Sequence, residues 1–181
     1  MKKLSLVLAA FCLCACQPTE PADEGTPTLT AQTVLKPTGE TLNEMKVYER
    51  LTSTPQDDGT LIISGTAPDA LAAGWTQGVS FVIGGEAEEA LSGQRVKVKV
   101  LAKSASGEPV DMNVAYSTNE VGNSGWQTFS LGDAYQVYEF EFDVNPMENG
   151  NGDYIGILPV SGPVQVAAVG YDILPAAGAP E

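Results

Sequence analysis

The stretch YEFEFDV, from Tyr138 to Val144, decides the fold of this 181-residue chain. Aromatic and β-branched side chains alternate there with carboxylates, and a period of two places the apolar side chains on one face of a β-strand. That face must be buried while the other meets water. Val96 to Val100 (VKVKV) repeats the pattern with lysines on the wet face. These two segments predict strands of a sheet that has one face on a hydrophobic core.

Further β-rich runs surround these two strands: Leu61 to Gly65, Val79 to Ile83, Val110 to Tyr116, Tyr154 to Leu158 and Val164 to Ile173. Clusters of Gly, Asn, Asp, Ser and Pro separate the runs, as in all-β domains. Val164 to Val169 is apolar almost throughout, which predicts a strand covered on both faces, and Thr41 to Leu51 shows helical spacing. We therefore expect an all-β fold, an antiparallel β-sandwich (jelly roll) of about eight strands with at most one short helix.

The beginning of the chain has the organisation of an export signal. Lys2 and Lys3 precede an apolar segment, Leu4 to Ala15. As a helix this segment would span about 18 Å, which is too short for a bilayer core of about 30 Å. The segment therefore predicts a signal peptide that is removed on export rather than a membrane-spanning anchor.

The end of the signal, Leu13-Cys14-Ala15-Cys16, resembles the lipobox of bacterial lipoproteins, which has Leu first, a small residue third and cysteine last. The resemblance implies cleavage after Ala15, a diacylglycerol on Cys16 and acylation of the new amino terminus, so that the lipid bilayer is the partner of Cys16. Cys14 departs from the pattern, in which small or hydroxyl residues are commoner. An Asp after the modified cysteine favours inner-membrane retention in this family, and Gln17 stands there, so we expect the outer membrane of the bacterial envelope. An ordinary secretory signal is the alternative.

Composition divides the chain into four parts. Residues 1–15 form the predicted signal, and residues 16–32 are rich in Pro, Thr, Ala and acidic side chains, which predicts a disordered tether because such a segment buries too little apolar surface to fold. Residues 33–175 have the usual length of one domain and are expected to form the sandwich. Residues 176–181 are expected to be a flexible tail.

The charge and the residue inventory exclude several functions. The formal net charge is −14, and two of the nine basic residues belong to the signal, so the exported chain is more negative still. Such a chain offers no basic face to a phosphate backbone, and we expect no nucleic-acid partner. The chain has no histidine, which removes Ser-His-Asp and Cys-His catalysis and His-ligated zinc. All three cysteines lie at or before Cys16, so the domain is expected to fold without a disulfide.

Paired carboxylates are the remaining acid–base groups, as glycosidases use. Glu86, Glu88 and Glu89 cluster in the sequence, but in an acidic chain such clusters usually face water. The segment Asp143 to Asp153 fails the ligand spacing of an EF-hand calcium loop and predicts a polar hairpin turn. We therefore expect a protein that is not an enzyme and has no catalytic residues, with a carboxylate-based glycoside hydrolase as the less favoured alternative.

Five segments resemble, in their order, elements of galactose-binding-like jelly rolls, as seen in carbohydrate-binding modules of the cellulose- and xylan-binding kind: Leu91 to Lys103, Gly125 to Leu131, Tyr138 to Val144, Gly152 to Ile157 and Val166 to Leu174. The resemblance covers about two-thirds of the domain and implies carbohydrate binding without catalysis. Jelly rolls of this family often hold one structural calcium, and Asp172 stands at the matching place in the last strand. A solvent-facing aspartate is the alternative for Asp172, and no other cofactor is implied.

Aromatic side chains are the candidates for binding a neutral glycan, because sugar rings stack on exposed π faces. Trp75 lies in a loop-like stretch, Trp126 follows Asn-Ser-Gly, and Tyr116 and Tyr135 border the same turns. We expect these four residues to form the carbohydrate site, with Trp75 as the best stacking platform. The alternative for both tryptophans is that they cap the core. The rival function is a structural lipoprotein that docks another envelope protein.

Overall fold

The computed structural model describes residues 28–66, 76, 78–118, 120–147 and 152–175. Cys16, Trp75, the predicted signal, most of the tether and the tail lie outside the described residues. The elements, in chain order, are β1 (Thr33–Leu35), α1 (Gly39–Glu44), β2 (Lys46–Val47), β3 (Leu51–Pro55), β4 (Leu61–Gly65), β5 (Val79–Ile83), α2 (Glu86–Leu91), β6 (Arg95–Ser104), β7 (Val110–Ser117), β8 (Gln127–Leu131), β9 (Gln136–Asp143), β10 (Asp153–Pro159) and β11 (Val164–Ile173).

The strands form two antiparallel sheets with a shared core. The six-stranded sheet has the order β3-β4-β11-β6-β9, with β1 also paired to β11. The five-stranded sheet has the order β2-β5-β10-β7-β8. From β4 onward the chain passes to the opposite sheet at every connection except that from β7 to β8. The structure therefore confirms the all-β, antiparallel sandwich, and the strands beyond the predicted eight are the short β1, β2 and β3.

β9 follows the alternation from which the fold was predicted. Its aromatic side chains Tyr138, Phe140 and Phe142 pack against the main core. Its carboxylates lie on the outer face, where Lys97 Nζ of β6 is 3.4 Å from Glu139 Oε1. Because exposed ion pairs contribute little to stability, burial of the aromatic face is the main contribution of this strand.

β11 is covered on both faces, as its apolar sequence predicts. Val164, Val166 and Val169 belong to the main core. On the outer face, Ala168 packs with Leu101 and with Leu29, which is only 5% exposed. Residues 28–32, which the sequence assigns to the tether, therefore lie against the six-stranded sheet. The reason is Leu29, a large apolar side chain in an otherwise polar segment.

The described residues contain two short helices, one more than the sequence predicts. The helical spacing of Thr41 to Leu51 yields only α1, because Lys46 and Val47 pair with β5 instead of extending the helix. α2 is six residues long, too short for a helical period to be visible in the sequence. No helix within the described residues is long and apolar enough to cross a membrane.

Candidate functional site

Tyr116 is not available to a glycan, which corrects the sequence prediction. Its side chain is fully buried on the core side of β7, and its ring lies 5.6 Å from that of Phe142. Its hydroxyl donates a hydrogen bond to Asp153 Oδ2. Burial raises the pKa of Tyr116, and the bond to Asp153 raises it further. Tyr116 is a core residue because it occupies the inward position in the alternation of β7.

Tyr135 is also unsuited to stacking, although it is only partly buried. Lys103 Nζ lies 4.7 Å from the centre of its ring and occupies one face. The ring packs against the small cluster of Leu29, Leu101 and Ala168 on the six-stranded sheet. Burial raises the pKa of the Tyr135 hydroxyl. Tyr135 therefore packs on the outer face of the six-stranded sheet, whereas Trp126 packs against the main core.

Trp126 lies directly before β8 and is half-buried, packed against the main core. This position agrees with the alternative given for it above, that it caps the core, while part of its side chain stays exposed. Trp75 lies outside the described residues, so its role stays a prediction. The structure thus does not bring Trp126, Tyr116 and Tyr135 together into one site.

Asp172, the predicted calcium ligand, is engaged in an ion pair instead. Its Oδ2 lies 2.6 Å from Lys99 Nζ, and its Oδ1 accepts the backbone N–H of Gln32 at 2.6 Å. The bond from Lys99 lowers the pKa of Asp172, and that from Gln32 contributes. A cation already neutralises this carboxylate. Moreover, the described ranges contain no group of three or more acidic or cysteine side chains that could hold a metal ion. The structure therefore gives Asp172 the role of fastening residues 28–32 to β11.

The acidic cluster on α2 does not face water as a whole. Glu86 and Glu89 are exposed, as predicted, but Glu88 is only 2% exposed. Its two carboxylate oxygens accept the backbone N–H of Gly152 at 3.1 and 3.0 Å. Glu88 is buried because α2 lies across the end of the sandwich next to the start of β10.

The outer face of β7 and β8 carries four polar side chains, Asp111, Asn113, Thr128 and Ser130, which we call the polar face. Asp111 lies opposite Ser130 and Asn113 lies opposite Thr128 in the strand register. Ser130 Oγ donates to Asp111 Oδ1 at 2.6 Å, and Thr128 Oγ1 donates to Asn113 Oδ1 at 2.7 Å. Each hydroxyl therefore fixes the orientation of the carboxylate or amide beside it.

The polar face leaves a donor and an acceptor free. Within the described part of the chain, Asn113 Nδ2 and Asp111 Oδ2 have no hydrogen-bond partner. The two residues are two positions apart on one strand, which separates them by about 7 Å. Because the hydroxyls already hold Asp111 and Asn113, a ligand that uses these groups would order few side chains on binding.

The electrostatics of the polar face favour an uncharged or cationic ligand. Among the strands of the five-stranded sheet a basic residue occurs once, Lys46 on β2, the edge strand furthest from β8. With Asp111 on the polar face and no basic residue in β5, β7, β8 or β10, phosphates and acidic sugars would be repelled.

The middle of this outer face is covered. Ser80, Ala115 and Gly156 are small and buried, in neighbouring positions of three adjacent strands. The carbonyl oxygen of Thr76 approaches Gly156 so closely that an added Cβ would lie 2.6 Å from it. The four side chains of the polar face, by contrast, are partly or fully exposed.

A cavity of about 330 Å³ lies on the opposite side of the sandwich, against the six-stranded sheet. Its lining includes the apolar side chains of Leu29 and Leu101 and, at the exposed positions, Lys36 and Asp58. Hydrogen bonds from Thr60 hold Asp58 within its own turn and lower its pKa. The described residues that line it include no aromatic side chain, so this cavity is a poorer candidate for a sugar than the polar face.

The polar face was not predicted from the sequence, because only aromatic side chains were considered as sugar-binding groups. The signal was present: VDMNV in β7 and QTFSL in β8 alternate apolar and polar residues. That period predicts outward-facing Asp111, Asn113, Thr128 and Ser130, but it does not reveal that the two strands are neighbours.

Comparison with known proteins gives no family. No family model and no curated protein matches the chain. Among solved structures, one described as "BiXyn10A CBM1 APO" matches with a TM-score of 0.47 and 17% identity over 70% of this chain and 86% of its own. Another, described as "CBM4 structure and function", matches with a TM-score of 0.45 and 16% identity over 78% of this chain and 85% of its own. At such values the likeness carries no inference about a ligand.

Proposed function

We propose that this chain is a lipid-anchored, non-catalytic protein of the bacterial envelope whose β-sandwich binds a neutral carbohydrate on the polar face. The observation that carries the proposal is the pair Asp111 and Asn113, each held in place by a hydroxyl of β8. The pair presents one free acceptor and one free amide group toward solvent. A sugar hydroxyl can both donate and accept, so one hydroxyl could donate to Asp111 Oδ2 while another accepts from Asn113 Nδ2.

Apolar contact is the other requirement of sugar binding, and Trp126 is the candidate for it. It lies two residues before Thr128 on the same chain segment and keeps part of its side chain exposed. Aromatic C–H and π contacts with a sugar ring would add to the hydrogen bonds of the polar face. Trp75 remains a second candidate on the grounds of its sequence context alone.

The anchor follows from the lipobox-like sequence that ends at Cys16. The acyl chains on Cys16 would hold the protein in the outer membrane, since two lipid signals suffice for stable anchoring. Residues 28–32 leave the domain on the outer face of the six-stranded sheet. The polar face belongs to the other sheet, so residues 28–32 do not lie over it.

The carbohydrate proposal is tested by a glycan array followed by calorimetry with the best neutral oligosaccharide. Thr128→Val keeps a β-branched side chain but releases the amide of Asn113, and we expect about 2- to 10-fold weaker binding. Thr52→Val is the matched control, because Thr52 also lies on an exposed strand face and bonds one side chain, Ser64 Oγ, at 2.7 Å. Asn113→Ala should weaken binding more than Thr128→Val.

Absence of any glycan signal, or equal losses in Thr128→Val and Thr52→Val, would refute binding on the polar face. If crosslinking in cells instead captures an envelope protein through Asn113, the rival docking function replaces the carbohydrate proposal. Anchoring is tested separately by labelling cells with a palmitate analogue. The label should enter the wild type, while Cys16→Ala should be unlabelled and leave the membrane fraction; an unlabelled wild type contradicts the anchor.

A further inference from the structure

Two carboxyl groups are buried next to each other at one end of the sandwich. Glu88, on α2, is 2% exposed, and Asp153, the first residue of β10, is fully buried. Neither takes part in a salt bridge: the ion pairs found within the described residues all use Arg95, Lys97 or Lys99 on the outer face of β6. The end of the sandwich thus holds two acids and no cation paired with them.

The hydrogen bonds around the two carboxyl groups leave one carboxyl oxygen without a partner. Gly152 N–H donates to Glu88, and Tyr116 Oη donates to Asp153 Oδ2. Asp153 Oδ1 is buried and has no partner among the described groups. A buried oxygen without a partner is costly, and a proton held between the two carboxyl groups would satisfy it.

Electrostatics favour the same proton. Two ionised carboxylates side by side in the interior repel each other and lose their hydration, so a buried acid pair commonly keeps one proton. The groups that face Asp153 are Glu88 from α2, Tyr116 from β7 and Glu120 from the segment after β7, with Tyr171 of β11 facing Tyr116. Burial raises the pKa of Asp153 to about 6, the bond from Tyr116 opposes the rise, and Glu88 and Glu120 add to it.

We propose that Asp153 keeps a proton, donates it in a hydrogen bond to Glu88 and so fastens α2 to the start of β10, forming a lock that holds in acid and loosens toward neutral pH. When the proton leaves, the hydrogen bond between the two carboxyl groups is lost, and two negative charges repel each other where α2 meets the start of β10. A shift of Tyr116 in the looser state would also move the segment before Trp126, because two hydrogen bonds of 2.9 Å join Tyr116 to Ser124.

The lock is tested with the full chain purified in detergent, by its thermal midpoint between pH 4 and pH 8. The wild-type midpoint should fall as the pH rises from 4 to about 6.5. Asp153→Asn should remove most of that fall, since its amide can donate to Glu88 and accept from Tyr116. Glu89→Gln is the matched control, an exposed acid on the same helix, and it should follow the wild type.

A second measurement covers the case in which Asp153→Asn does not fold. Hydrogen exchange of the wild-type Gly152 amide, corrected for the intrinsic rate, should lose at least tenfold protection between pH 5 and pH 7.5 relative to the Val98 amide. Unchanged protection, or a pH dependence that persists in Asp153→Asn, overturns the proposal. A rise in the wild-type midpoint on adding calcium at pH 7.5 that Asp153→Asn abolishes also overturns it, because the pair would then hold a metal ion.

Discussion

Replacing Asp172 with alanine should release residues 28–32 from the domain. In the structure the Asp172 carboxylate is 2.6 Å from Lys99 Nζ and accepts the Gln32 N–H at 2.6 Å. Lys99 also donates to the carbonyl oxygen of Thr30 at 2.9 Å, so it joins the segment and β11. The substitution removes the acceptor of two charge-assisted hydrogen bonds at once.

The expected loss in the free energy of unfolding is about 2 to 3 kcal/mol. Hydrogen bonds to charged groups contribute about 1.5 to 3 kcal/mol each. The side chains of Lys99 and Asp172 are 17% and 20% exposed, and partial screening by solvent places each bond at the lower end of that range. The pKa of Asp172 is lowered by these contacts, so the contribution is present above pH 4 and is lost as the pH falls through the lower folded value.

Asp143→Ala is the matched control. Asp143 lies on the same outer face but its side chain is 82% exposed and 3.8 Å from Arg95 Nε, so its loss should stay within about 0.5 kcal/mol. Urea unfolding at pH 7 and pH 3 measures both variants, and limited proteolysis should cut Asp172→Ala near residue 30 faster than the wild type. The reasoning is refuted if the two variants lose equal stability at pH 7, or if Asp172→Ala loses as much at pH 3 as at pH 7.

Two further substitutions test the packing around the five-stranded sheet. Tyr116→Phe removes the donor to the buried Asp153 and should destabilise the domain by about 1 to 3 kcal/mol in urea unfolding at pH 5; an unchanged midpoint would contradict the buried bond. Gly156→Ala places a Cβ 2.6 Å from the Thr76 carbonyl oxygen and should cost about 1 to 3 kcal/mol. Gly132→Ala, which meets nothing within 4 Å, serves as its control, and equal effects of the two would contradict the close approach of Thr76.

The sandwich could be predicted because it depends on local periodicity. The alternation of apolar and polar residues in β9 and β6 indicates one buried face, and the continuous apolar run in β11 indicates two. β2 could not be predicted, since Lys46 and Val47 become a strand only through pairing with β5. The position of residues 28–32 could not be predicted either, because it depends on the packing of one side chain, Leu29, against Leu101 and Ala168.

The candidate site could be predicted far less well, because a site depends on which strands are neighbours. Sequence context cannot distinguish Tyr116, which points into the core, from Tyr135, whose ring is covered by Lys103. Nor does it reveal that Asp172 faces Lys99, a residue far away in the chain. The polar face arises from the pairing of β7 with β8, and each strand alone shows only half of it.

The most direct test of carbohydrate binding on the polar face is a titration of the ¹⁵N-labelled protein with cellohexaose and with xylohexaose, followed by backbone amide chemical shifts. Saturable shifts confined to the β7 residues Asp111 to Ser117 and to β8, weakened in Thr128→Val and retained in Thr52→Val, are the predicted result. Shifts centred on the outer face of β6 and β11, or none with either sugar, would contradict it.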